Sequence, residues 1–131
     1  MNYGHALEFG TFITPRSEAP GTVVDLAVRS EALGYDLVTF QDHPYMPENL
    51  DAWTLLAWVA GRTERTRLAA NVLNLPLRDP AVLARSAASL DLLSGGRLEL
   101  GLGAGGFPHA IAAMGGERRS PGKAVEALGE A

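Results

Sequence analysis

The chain has 131 residues, no cysteine, 47% hydrophobic residues and a formal net charge of −4 at pH 7. That size suits one domain able to bury a core; the charge lacks the basic footprint of a nucleic-acid binder, and the missing cysteine excludes disulfides, thiolate metal sites and a cysteine nucleophile. No apolar run approaches the roughly 18 residues of a membrane span, and the N-terminal stretch carries Glu8 without a basic segment, so the expectation is a cytoplasmic globular protein whose chemistry the composition leaves open.

Leu7–Ile13 reads as a first strand, stopped by Thr14-Pro15. Pro20-Gly21-Thr22 opens a helix, with Thr22 as the expected N-cap and Val23, Leu26, Ala27, Ser30 and Leu33 on one face. Gly34 suits its C-terminal stop. Tyr35–Phe40 is a second strand, followed by the polar Gln-Asp-His-Pro and a Pro- and Asn-rich loop. A helix is expected over Ala52–Gly61, with Leu55, Leu56, Val59 and Ala60 inward and both Trp53 and Trp58 packed.

Arg67–Leu73 is a third strand, with a loop over residues 74–78. Asp79-Pro80 combines an N-cap carboxylate with proline at the first helical position. The helix continues through Val82, Leu83, Ala87, Leu90 and Leu93 and stops at Ser94-Gly95-Gly96. Arg97–Leu102 is a fourth strand, running into the glycines at 103, 105 and 106. A short helix near His109–Met114 and a last one over Gly122–Glu130 complete the chain. Strands alternating with helices predict a parallel α/β sheet in a single domain over residues 1–131. Four βα units are half of what an eight-stranded barrel uses, so the order fits a small open sheet or the first half of a barrel.

In parallel α/β proteins the working residues gather at the C-terminal ends of the strands. After strand two stand Asp42 and His43; a histidine there can contact a cofactor or move a proton near neutral pH. Asn71 and Asn74 after strand three offer amides that suit a heterocycle with an amide edge, and equally suit a turn. Gly101, Gly103 and Gly106 satisfy the dinucleotide spacing G-x-G-x-x-G, but Phe107-Pro108 follows where the fingerprint's helix should start. Arg118-Arg119 could meet a phosphate or simply face solvent. No zinc-protease, nucleophile-elbow or phosphate-loop pattern occurs, and no metal site is expected.

These residues resemble the N-terminal part of the luciferase-like monooxygenases, the bacterial luciferase superfamily of flavin- and F420-dependent oxidoreductases. The resemblance is carried by NVLNLPLRDPAVLARSAASLDLLSGGRLELGLGAGG at residues 71–106, by GYDLVTFQDHP and EFGTFITP before it, and by GGERRSPGKAVEALGEA after it. It implies a (βα)4 half of a TIM barrel with FMN or coenzyme F420 over the strand ends. His43 would be the catalytic residue beside the ring, supported by Asp42. Asn71 and Val72 would form a bulge under the ring, with a cis non-proline peptide in some members. Asn74, Ala104 and Gly105 would contact the cofactor, and Phe12 would line the substrate side. Some sugar-phosphate dehydrogenases of the family carry a catalytic glutamate where Gly106 stands here, which departs from that chemistry.

The expected function is therefore a flavin- or F420-dependent oxidoreductase or monooxygenase acting on a small organic substrate, in truncated form. A non-catalytic remnant or assembly subunit, and an NAD(P)-binding module built on the glycines, are the alternatives. Four strands leave two unpaired edges, which predicts a homodimer or a complementing C-terminal half unless the chain is a fragment. Neither nucleic acid nor membrane is an expected partner.

Overall fold

The computed structural model describes residues 3–131; the first two residues of the N-terminal stretch read for targeting signals lie outside it. The order is β1 (Gly10–Ile13), α1 (Pro20–Ala32), β2 (Leu37–Phe40), α2 (Ala52–Ala60), β3 (Arg67–Ala70), β4 (Leu73–Asn74), a 3-10 turn (Leu75–Leu77), α3 (Pro80–Ser94), β5 (Leu98–Glu99), β6 (Leu102–Gly103), α4 (Pro108–Ala113) and α5 (Pro121–Glu130). No helix among the described residues is long and apolar enough to cross a membrane.

All strand pairs are parallel, and the main sheet runs β1-β2-β3-β5 in chain order. A doubly wound sheet reverses its strand order at a switch point, whereas this order never reverses and so has the progression of a barrel. β2 and β3 are buried along almost their whole length, as parallel strands covered on both faces are. Phe40, Val38, Leu68, Leu56 and Val59 are fully buried where these strands meet the helices.

Two helices begin as their capping residues dictate. Asp51 accepts from the Thr54 N–H at 2.7 Å and the Thr54 hydroxyl at 2.8 Å, and Asp79 accepts from the Val82 N–H at 3.0 Å. α3 ends at Gly95, whose φ of 73° is the left-handed conformation that glycine adopts without a Cβ penalty. α1 begins earlier than expected. Ala19 is its N-cap, without a side-chain bond, and Pro20 rather than Thr22 opens it. Its buried stripe is Val23, Ala27 and Ser30, while Leu26 and Leu33 are exposed. The same narrowing leaves Val82 and Leu93 of α3 exposed around Leu83, Ala87, Leu90 and Ser94. A four-unit helical layer meets its sheet along one narrow line per helix, so residues flanking that line stay outside. β1 starts at Gly10, with Leu7 and Phe9 exposed ahead of it. Trp53 packs against the core, but Trp58 is 57% exposed and instead lies under the Arg62 guanidinium, 4.9 Å from its ring centroid.

Charged side chains tie the lower ends of the strands. Arg67 bridges Glu8 and Glu99. The Arg97 guanidinium donates to the carbonyls of Ala60 (2.7 Å), Thr63 (3.1 Å), Thr66 (3.1 Å) and Ser94 (2.8 Å), which pins the α2–β3 loop to the end of α3. Glu31 of α1 accepts the backbone N–H groups of Glu64, Arg65 and Thr66 at 2.6–3.1 Å. Burial works against its ionisation, and the Thr66, Arg65 and Glu64 donors together outweigh that and hold its pKa below the ordinary value. A depressed folded-state pKa contributes stability above the unfolded value and loses it as pH falls through the folded one. Glu31→Gln is therefore expected to lower the melting temperature at neutral pH and to flatten the acid limb below about pH 4.3. A melting curve measured against pH checks both; parallel wild-type and variant curves would contradict the assignment.

Candidate functional site

Strands three and four of the sequence reading each break in the middle. β3 gives way at a cis peptide between Asn71 and Val72 and resumes as β4, and β5 resumes as β6. Ala69 pairs with Glu99 and Leu73 with Leu102. Four steps of chain thus face three on the neighbour, which is a β-bulge with one extra residue. The bulge is held by Asn71 N–H to the Phe40 carbonyl and Leu73 N–H to the Gly101 carbonyl, both 2.8 Å.

The glycines opposite explain themselves sterically. A Cβ on Gly101 would lie 2.7 Å from the Ala70 carbonyl oxygen, and one on Gly103 only 2.5 Å from Val72 Cγ2. Gly105 has φ of 87°, and its Cβ would meet Ile111 Cδ1 at 2.6 Å. These three glycines make room for the bulge and for α4, whereas a Cβ on Gly106 would meet open space. Two of the three glycines that satisfy the dinucleotide spacing, Gly101 and Gly103, therefore serve packing, and the helix after the run is only the six residues of α4.

Above the bulge lies a cavity of about 210 Å³, lined by Asp42, His43, Asn71, Val72, Asn74 and Gly105 among the expected residues. Tyr45, Leu73, Gly103, Gly106 and Phe107 complete it. Ala104 and Phe12 do not line it; Phe12 is 57% exposed on β1. Arg118 and Arg119 lie elsewhere, Arg119 paired with Glu117 at 3.0 Å and Arg118 Nη2 3.4 Å from His109 Nε2. A larger groove of about 570 Å³ runs between α1 and α2 on the helical layer.

Asp42 does not support His43. Its carboxylate accepts Asn74 N–H at 2.8 Å and Arg78 Nη2 at 2.9 Å and Nε at 3.1 Å, with only 1% of the side chain exposed. Arg78 also reaches Asp51, the α2 cap, at 3.0 Å. Burial alone would lower the Arg78 pKa; the Asp42 and Asp51 carboxylates outweigh it and raise it. Burial likewise works against Asp51, and the Thr54 donors and Arg78 keep its carboxyl below the ordinary range. The network joins the second strand end, the bulge and the start of α2 through one guanidinium.

The partner of His43 is Tyr45, whose Oη lies 2.8 Å from Nδ1. A tight turn, with Met46 N–H on the His43 carbonyl at 2.9 Å, returns the chain so that Tyr45 faces back; Pro44 sits where such turns favour proline. Phe107 meets the imidazole edge-on at 5.7 Å. Asn74 is 5% exposed, and its Oδ1 finds no hydrogen-bond partner among the described residues. A buried acceptor without a partner is costly and rare, and marks a place where a ligand donor belongs. Tyr45, Phe107 and Arg78 are the residues that sequence reasoning passed over. Pro44 signalled the turn that returns Tyr45; nothing local signalled the other two.

A family model described as luciferase-like monooxygenase matches residues 1–130. The F420-dependent glucose-6-phosphate dehydrogenase of Kineococcus radiotolerans is 38% identical over 109 residues, which are 79% of this chain and 32% of that protein. An F420-dependent secondary alcohol dehydrogenase solved with an F420-acetone adduct superposes with a TM-score of 0.81 at 23% identity, over 93% of this chain and 38% of that one. The oxygenating constituent of 3,6-diketocamphane monooxygenase from Pseudomonas putida, solved with FMN, gives 0.74 at 24% identity, over 93% and 37%. The chain spans about a third of the length of the curated relatives it matches.

Proposed function

The chain belongs to the luciferase-like monooxygenase family, and on that premise we propose that it is the N-terminal half, a single domain, of a flavin- or F420-dependent oxidoreductase that acts on a small organic substrate in the cytoplasm. The observation that carries this reading is the orphaned Asn74 Oδ1 beside the bulge. Flavin and deazaflavin rings present an N–H between two carbonyls at one edge, which is what a buried lone acceptor lacks. The ring is held by Asn74, with Asn71 and Val72 at the bulge, Gly105 beside it and Gly106 leaving the approach clear of a side chain; Ala104 lies in the same segment. His43 is the residue at the reacting centre, and Phe12 lines the substrate side. Bound there, the ring supplies hydride transfer or, for FMN, activation of O₂. The protein's own part is to orient, to exclude water and to hold a proton on the imidazole.

β1 and β5 are the outer strands of the sheet, and their free edges fit a second set of βα units, from another copy of the chain or from a complementing C-terminal half. Titration with FMN and with F420, followed by amide NMR and light scattering, tests both statements. Shifts at Asn74, His43 and Gly105, and a mass above one chain, are expected. Spectra indifferent to either ring would overturn the cofactor reading. Binding of NAD(P)H in place of the rings would favour a nicotinamide module.

A further inference from the structure

His43 is the one imidazole in the cavity, and the residue beside it in sequence cannot orient it, because the Asp42 carboxylate is taken up by Arg78 and the Asn74 N–H. The ring is held from another side. Tyr45 Oη lies 2.8 Å from Nδ1, the two ring centroids are 5.5 Å apart, and Phe107 closes the remaining side at 5.7 Å from His43 and 5.5 Å from Tyr45. His43 Nε2 makes no hydrogen bond among the described residues.

We propose that Tyr45 is the positioning residue of this site: its phenol donates to His43 Nδ1, fixes the imidazole in the tautomer that carries its proton on Nε2, and so leaves Nε2–H as the group offered to a bound ring or substrate. The tautomer of a neutral histidine is set by the hydrogen bond its other nitrogen makes. Burial, and after it the negative charge of Asp42, raise the Tyr45 pKa and outweigh the opposing influence of the Asn74 side chain, so the phenol keeps its proton at neutral pH. A neutral phenol has one hydrogen to give, and Nδ1 is the acceptor in reach. This extends the reading of His43 and Asn74 given above and rests on it for its meaning, but its physical content can be tested without any cofactor.

Tyr45→Phe removes the hydroxyl and keeps the ring that packs on His43 and Phe107. Long-range proton–nitrogen spectra of the imidazole-labelled chain, recorded where His43 is neutral, read each ring nitrogen directly. The wild-type protein is expected to show Nδ1 as the unprotonated, hydrogen-bonded nitrogen and Nε2 as the protonated one. In Tyr45→Phe the Nδ1 signal should move downfield, with the melting temperature little changed. Affinity for FMN or F420 should fall about fivefold to tenfold, the worth of one hydrogen bond. A wild-type spectrum with the proton on Nδ1, or a His43 nitrogen pattern unmoved by the substitution, overturns the proposal and leaves the cofactor reading standing. If no ring binds the wild-type chain but the nitrogens behave as described, the cofactor reading fails and the positioning role stands.

Discussion

Replacing Arg78 with methionine is expected to lower the unfolding free energy by about 3–5 kcal/mol, the usual result of stranding one member of a buried ion pair. The Asp42 carboxylate is 1% exposed and takes three guanidinium bonds and one backbone N–H. Without the guanidinium, a charge in that position keeps the Asn74 N–H alone. The same change releases Asp51, which caps α2, so the loss reaches a second element. Denaturant unfolding checks this: the midpoint should fall with the slope unchanged. The double variant Asp42→Asn/Arg78→Met should lose less than the two single losses added, because it removes the stranded charge. A loss below about 1 kcal/mol for Arg78→Met would class the pair with ordinary surface bridges.

The size of that effect shows which parts of the molecule can be read locally. The start of α3 at Asp79-Pro80 and its stop at Gly95 were legible because cap and helix are neighbours in sequence. The (βα)4 order and its parallel sheet were legible for the same reason, since periodicity and punctuation act over a few residues. The site was legible as a set of strand ends, and through the family resemblance as named residues. Its internal wiring was not. Asp42 meets Arg78 across 36 positions, and no local signal tells a carboxylate beside a histidine that it will turn away from it. Gly101 and Gly103 stood out as a motif, yet the atoms that require them belong to Ala70 and Val72 on another strand. Their spacing matches the dinucleotide fingerprint, when the real constraint is an extra residue opposite. Phe12 and Ala104 come from the resemblance alone and do not line the cavity, whose lining includes Tyr45 and Phe107.

Asn74→Leu should separate function from stability more sharply than any other change in the chain. Buried polar groups are kept where they hydrogen-bond, and Asn74 Oδ1 has no partner among the described residues. A leucine of the same branching removes that orphan. The backbone N–H that Asp42 accepts remains in place. Melting temperature is therefore expected to stay level or rise. Affinity for the ring cofactor should fall about tenfold to a hundredfold, because the ligand's N–H would enter the cavity and find no acceptor. Calorimetric titration beside a thermal melt measures both. A variant that loses stability together with affinity would show Oδ1 to be satisfied within the fold. A variant that binds FMN or F420 as tightly as the wild type would remove the observation on which the cofactor reading stands. Asn49 Oδ1 is the other buried side-chain oxygen without a partner among the described residues, but it does not line the cavity; at Asn74 the unmet acceptor sits in the cavity wall, where a binding site departs from the rules of a packed core.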